Sequence, residues 1–367
     1  METGSSQSLR RLYGPIKNPF YIYTPRWIES SAGIKVLHLL CHALNEIGET
    51  AYLVICEESH ENRPRINGLL KTPVLTQEIA ESHFRAKLTP ITIYSETIPG
   101  NPIGAPFVVR FIGNYLGLLG GPVNFAKDDF IVAYSEKLAQ DSAIKLDKQD
   151  IFTLFFHAID PRPFESKIEK ENFLLLYAAK YRIFIGEPNF KSDLKIIEVI
   201  RDGHLAQSRE EVLRLLERAS GLVTFENSAI VMEAILSGTP AFLIKNEFFS
   251  EGIADVEAKG LGYRWGYSEE NLEAAKSELE LARNVYLQTA DDFFNRLIEF
   301  VNLVQDSSKH KGYEKVVSVP NYTHVINQHR IGMAFMILRN QGIIQLIKVI
   351  KAFIARRMFS PKKIDIE

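Results

Sequence analysis

The chain has 367 residues, 46% of them hydrophobic and 24% charged, with a formal net charge of -2. That length exceeds what one hydrophobic core usually fills, so two domains are expected, and the composition excludes a disordered chain or a polycation that coats nucleic acid. Two cysteines, Cys41 and Cys56, exclude a disulfide framework and fit a reducing cytosol, and neither a signal-like apolar run nor a span of about 18 apolar residues is found.

Residues 1–17 are polar and expected to be disordered. Phe20 to Thr24 (FYIYT) then reads as a buried strand, followed by a loop ending at Ser30, Ser31 and Gly33. Ile34, Leu37, Leu40, Cys41, Leu44 and Ile47 recur at helical spacing behind a serine that can cap, and Gly48 sits where a helix stops. Ala51 to Cys56 is the next strand, so this stretch is a βαβ unit with a parallel sheet. The alternation continues through the strand Thr89 to Ser95, a helix around Pro106 to Tyr115, and the strands Asp129 to Tyr134 and Ile151 to His157. Pro161, Pro163 and a charged stretch mark a boundary, giving a first domain over 18–164 and a second over 165–305. The second reads as a strand at 173–178, a strand near Lys195 to Ile200, a helix at 209–219, a strand at 221–225, a helix at 228–237 and a strand at 241–244. Ser208 with Glu211 forms a capping box, and Gly238 with Pro240 stops a helix. A helical stretch over roughly Glu269 to Gln305 precedes a C-terminal helical tail, 306–367, which either packs on the first domain or meets a membrane surface.

Two successive α/β domains create a cleft at the carboxyl ends of their strands, where open α/β folds bind ligands. No G-x-G-x-x-G follows the first strand of either half and no P-loop motif occurs, which disfavours dinucleotide redox and P-loop phosphoryl transfer. The most informative segment is Gly221 to Ile244 (GLVTFENSAIVMEAILSGTPAFLI), a strand turning through Glu226, Asn227 and Ser228 into a short helix. Met232-Glu233-Ala234 with Ser237-Gly238-Thr239-Pro240 resembles a signature of GT-B glycosyltransferases, in particular the group 1, family 4-like enzymes of bacterial surface-polysaccharide assembly.

The resemblance implies two Rossmann-like domains with parallel sheets facing a central cleft, plus C-terminal helices. It implies transfer of a sugar from a nucleoside diphosphate donor to a saccharide or lipid-linked glycan, with Glu233 on the ribose and the amides of Ser228 and Ala229, beside Asn227, toward the diphosphate. Helix N-termini favour phosphate on physical grounds as well. A departure from the pattern is that Glu226 and Glu233 enclose six residues rather than seven, with Phe225 in the expected acidic position, so neither retention nor inversion is assigned. Lys180 and Arg182, after the strand at 173–178, are candidates to neutralise the leaving diphosphate, and Gly33 to approach the donor. Glu96 to Pro102 (ETIPGNP) resembles a stretch of polysaccharide-assembly transferases, which makes Glu96 the first choice for a base and Asn101 an acceptor contact. His157, Glu226 and Asp160 complete the candidates, the first two catalytic and the third for the acceptor.

No D-x-D stands at a strand end in the first half and no Cys or His cluster has metal-ligand spacing, so no metal or cofactor is expected. Ile343, Ile347, Ile350, Ile354 and Met358 form an apolar stripe opposite Lys348, Lys351 and Arg356, and 342–363 is expected to lie on an anionic membrane surface at the cytoplasmic face. Rival readings are a nucleotide-sugar epimerase on the same fold and an inactive GT-B scaffold. No nucleic-acid partner is expected.

Overall fold

The structure is a computed structural model and describes residues 16–56, 65–164, 168–201, 205–226, 228–246, 249 and 259–319. The first unit is a parallel sheet of β1 (Phe20–Thr24), β2 (Ala51–Ile55), β3 (Ile91–Ser95), β4 (Phe107–Ile112), β5 (Phe130–Ala133) and β6 (Phe152–Thr153), ordered β2-β1-β3-β4-β5-β6. Sheets of this kind are covered on both faces, which is why β1 and β4 are buried at every residue. Helix α1 (Ala32–Glu46) buries Val36, Leu37, Leu40, Cys41 and Leu44, and it starts where the Ser31 side chain accepts from the Ile34 amide. Helices α2 (Gln77–Arg85) and α3 (Glu136–Leu146) are likewise capped, by Thr76 and Ser135.

The second unit is a parallel sheet of β7 (Glu171–Tyr177), β8 (Lys195–Glu198), β9 (Ala219–Thr224), β10 (Ala241–Leu243) and β11 (Tyr263–Trp265), ordered β11-β10-β9-β7-β8. Its helices are α4 (Ala179–Phe184), α5 (Arg209–Arg218), α6 (Ile230–Leu236), α7 (Glu269–Ser277) and α8 (Leu279–Asp291). The capping box of Ser208 and Glu211 forms at the front of α5. Every described residue of α6 is buried, and the helix ends at Gly238, whose φ of +71 a residue with a Cβ rarely adopts. This is the expected α/β fold of two parallel-sheet units. In each sheet the strand order reverses beside its first strand, between β1 and β3 and between β7 and β9. Ligand crevices of open α/β folds lie beyond the carboxyl ends at such reversals.

A final helix, α9 (Phe293–Ser308), returns to the first unit, where Leu297, Phe300, Val301 and Val304 join its core. The chain thus re-enters the first unit well before residue 305, the boundary expected from sequence. Residues beyond α9 stay there: Thr89 Oγ1 donates to the Lys311 carbonyl at 2.6 Å, Tyr313 donates to the Leu88 carbonyl at 3.0 Å, and Val317 is buried.

Two expectations need correction. The segment expected to be helical around Pro106 to Tyr115 contains β4, because Phe107, Val108, Val109, Phe111 and Ile112 form an apolar run, interrupted only by the buried Arg110, between β3 and β5. The long helical stretch from Glu269 is broken into three, at Glu278 and Asp292. The expected disordered start and the basic tail segment 342–363 lie outside the described residues, apart from Ile16 and Lys17. Among the described residues no helix is long and apolar enough to cross a membrane.

Candidate functional site in the cleft between the two sheets

The loop after β1 and the elements after β8 and β9 enclose a cavity of about 400 Å³, lined by Trp27, Ile28, Glu29 and Ser30 from the first unit and by Arg201, Gln207, Arg209, Val212, Leu213 and Glu233 from the second. The β1 loop is held from beneath by His38 of α1. Its Nε2 lies 3.0 Å from the Pro25 carbonyl and its ring meets the Trp27 indole edge-on. Opposite, Gln207 closes the loop from β8 to α5 on itself, accepting from the Ile200 amide and donating to the Glu198 carbonyl.

Glu233 is the fourth residue of α6 and only 4% exposed, with its carboxylate in the cavity lining. Oε2 is ion-paired with Arg201, whose guanidinium also packs 5.7 Å from the centroid of the Tyr177 ring, while Oε1 lies 3.9 Å from Arg209 Nη1. A buried carboxylate is tolerated only with such partners. The same Arg209 nitrogen reaches across to Glu29 Oε1 at 3.0 Å, and Glu29 is held on its own side by Lys35 at 3.3 Å and by the Trp27 indole N–H at 3.1 Å.

A second group stands at the strand-order reversals. Glu96 directly follows β3 and is buried, with Oε2 accepting from the Gly113 amide at 3.1 Å. Gly121 packs on its backbone so closely that a Cβ there would stand 2.7 Å from the Glu96 carbonyl oxygen. Burial pushes the Glu96 carboxyl up to about 7, against the opposing pull of the Gly113 amide and the Lys180 charge. Glu226, two residues past β9, accepts from the Lys180 amide at 2.6 Å and so caps α4, which has no side-chain cap of its own. Burial raises its pKa too, opposed first by Lys180. Lys180, the second residue of α4, thus has a charge that favours the ionised form of a carboxylate from each unit.

The other expected residues are placed differently. Ser228 and Ala229 precede α6, as expected, and Asn227 lies outside the described residues. Gly33 is in the first turn of α1, with open space where a Cβ would be. Arg182 does not face the cleft lining: it is ion-paired with Glu187 and Glu198, because α4 turns it toward β8. His157 is a packing residue. Its Nε2 lies 3.1 Å from the Tyr286 carbonyl and 3.0 Å from Thr289 Oγ1, on α8, and burial lowers its pKa. Asn101 staples its own loop, accepting from Tyr94 and the Ala105 amide and donating to the Ala105 carbonyl. It lines a separate cavity with Arg110 and Asp129, because the β3–β4 loop has to run back to the amino end of the sheet. Asp160 is held below the usual carboxylate range by Arg162, with a smaller effect of Arg209.

Three lining residues, Glu29, Arg201 and Arg209, carry no motif. Arg201 was accessible to the rule that singles out Lys180, a cation just past a strand's carboxyl end. Among the described residues, no group of three His, Cys, Asp or Glu side chains is placed to hold a metal.

No family model and no curated protein matches the chain. Solved structures similar to it include a glycosyltransferase from Rickettsia africae, at 12% identity and a TM-score of 0.47 over 81% of this chain and 100% of that one. A DNA-modifying β-glucosyltransferase, studied with and without uridine diphosphoglucose, gives 10% and 0.45 over 78% and 99%. WaaG, a glycosyltransferase involved in lipopolysaccharide biosynthesis, gives 12% and 0.39 over 78% and 99%.

Proposed function

We propose that this chain transfers a sugar from a nucleoside diphosphate donor to a hydroxyl of a saccharide or lipid-linked glycan in bacterial polysaccharide synthesis, without a metal. The observation that supports this best is a cleft lined by Glu29 of the first unit and by Glu233, Arg201 and Arg209 of the second, with the buried carboxyl of Glu96 at the neighbouring strand end. In this reading Glu233 offers Oε1 to the ribose while Arg201 holds Oε2. The guanidinium groups and the Lys180 ammonium stabilise the charge that grows on the diphosphate as its bond to the anomeric carbon breaks. The acceptor oxygen forms the new bond to that carbon, the bonding pair leaves on the phosphate oxygen, and the acceptor proton passes to Glu96. A carboxyl near 7 is matched to that task at neutral pH.

The acceptor class rests on the likeness of Glu96 to Pro102 to polysaccharide-assembly transferases, and on the amphipathic tail, which would hold the enzyme peripherally at the cytoplasmic face of the membrane. The test is incubation with UDP-, GDP- and dTDP-sugars and a panel of saccharide and lipid-linked acceptors in excess EDTA. Acceptor-dependent release of the nucleotide is expected. Turnover only after magnesium or manganese is restored would remove the metal-independent part. An altered sugar with an unchanged total of nucleotide-sugar would point to an epimerase instead.

A further inference from the structure

Among the described residues, the charged side chains lining the cleft are Glu29, Arg201, Arg209 and Glu233, two of each sign, and each arginine already has a carboxylate. A nucleoside diphosphate adds at least two negative charges to that balanced set. Bringing it beside the arginines therefore requires that one carboxylate withdraw, since like charges at such distances repel in a partly desolvated cleft. Glu233 is fixed on a helix that is buried throughout, with a side chain 5% exposed. Glu29 is on a loop, its side chain is 44% exposed, and on leaving Arg209 it keeps Lys35 and the Trp27 indole as partners.

We propose that Glu29 is a displaceable latch across the cleft: it holds Arg209, and with it the two units together, until the phosphate-bearing part of the ligand takes its place. This rests on the reading that the cleft binds a phosphorylated donor. Lys35 and Trp27 serve as the parking place, so the carboxylate never pays the full desolvation cost of being unpartnered. The latch sets both the separation of the units at rest and the ligand affinity.

Two measurements on the full chain test it, with Glu29→Gln as the variant, because the amide keeps the shape and can still accept from Trp27. The first is the distance between labels at Gln140→Cys and Ser277→Cys, exposed positions on the two units, without ligand; Cys41 and Cys56 are buried and stay unlabelled. A longer or broader distance in Glu29→Gln is expected. The second is calorimetry with UDP, GDP, dTDP and pyrophosphate at low salt. Glu29→Gln should bind the preferred ligand about two- to fivefold more tightly, the range for a partly exposed ion pair. The gain should shrink at high salt and vanish in an Arg209→Gln background. Equal or weaker binding by Glu29→Gln, or an unchanged label distance, overturns the latch while leaving the donor reading in place. Failure of all four ligands to bind either protein overturns the donor reading, and displacement with it.

Discussion

Glu96, the base of the proposed transfer, carries a stability cost in the same carboxyl. Its carboxyl titrates near 7 in the folded protein against an ordinary value of 4.5. Below 4.5 it is protonated in both folded and unfolded chains. Between 4.5 and 7 the folded chain keeps a proton that the unfolded chain has lost, so stability falls as pH rises through that window and the full cost is present above 7. Glu96→Gln is therefore expected to be more stable than the parent at pH 8, by about 3 kcal/mol from that shift, with no difference at pH 4. Denaturant melts at the two pH values check this. Transfer by the parent should rise with pH around an apparent pKa near 7, and Lys180→Met should move that midpoint upward because the ammonium favours the ionised form. A midpoint that stays put would separate Lys180 from Glu96. Glu96, Glu226, Lys180 and Glu233 could be picked out in the sequence as candidates because each lies within three residues of a strand's carboxyl end or sits in a helix with a recognisable stop. Glu29, Arg201 and Arg209 were not, because their meeting depends on how two sheets distant in sequence face each other. Asn101 and His157 were misplaced for a related reason: spacing puts a residue at a strand end or in a loop, but tertiary partners decide where its side chain is used.

Helix α9 ties residues 293–308 into the core of the first unit. Phe300 is 1% exposed and meets Phe20, Phe130 and Phe152 at ring-centroid distances of 6.5, 6.4 and 6.0 Å, so strands β1, β5 and β6 share one aromatic anchor. Phe300→Ala should destabilise the first unit by about 3–5 kcal/mol, the usual cost of emptying such a site. Guanidinium melts followed by Tyr and Trp fluorescence measure it, and a loss below about 1 kcal/mol would mean that α9 is only loosely attached. The apolar spacing of Tyr286, Phe293, Leu297 and Phe300 was visible in the sequence, but the partner of that face was not. Tyr286 closes on the second unit and Phe300 on the first, with the change at Asp292. The error at β4 is of another kind. A short apolar run has no period to distinguish a strand buried on both faces from a helix, and Phe107 to Ile112 gives its identity only through its neighbours β3 and β5.

For the molecule as a whole, the order of strands and helices follows from local pattern except at β4, and the two reversals of strand order mark the end of each sheet at which a cleft is expected. What binds there is decided by a few charges. The basic amphipathic segment 342–363 makes a prediction at this scale: protein cut after Asn340 should remain folded and bind nucleotide but no longer sediment with anionic liposomes at low salt. Full-length protein that ignores such liposomes would remove the membrane from the account. The proposed hold of the cleft on a nucleotide through Glu233 is tested most directly by calorimetry of Glu233→Ala against the parent, with pyrophosphate beside UDP, GDP and dTDP. Loss of a charge-assisted bond to ribose should weaken the preferred nucleoside diphosphate by about 1.5–3 kcal/mol, tenfold or more, without a matching loss for pyrophosphate. Unchanged nucleotide affinity in the variant, or no binding of any of these nucleotides to the parent, would contradict it.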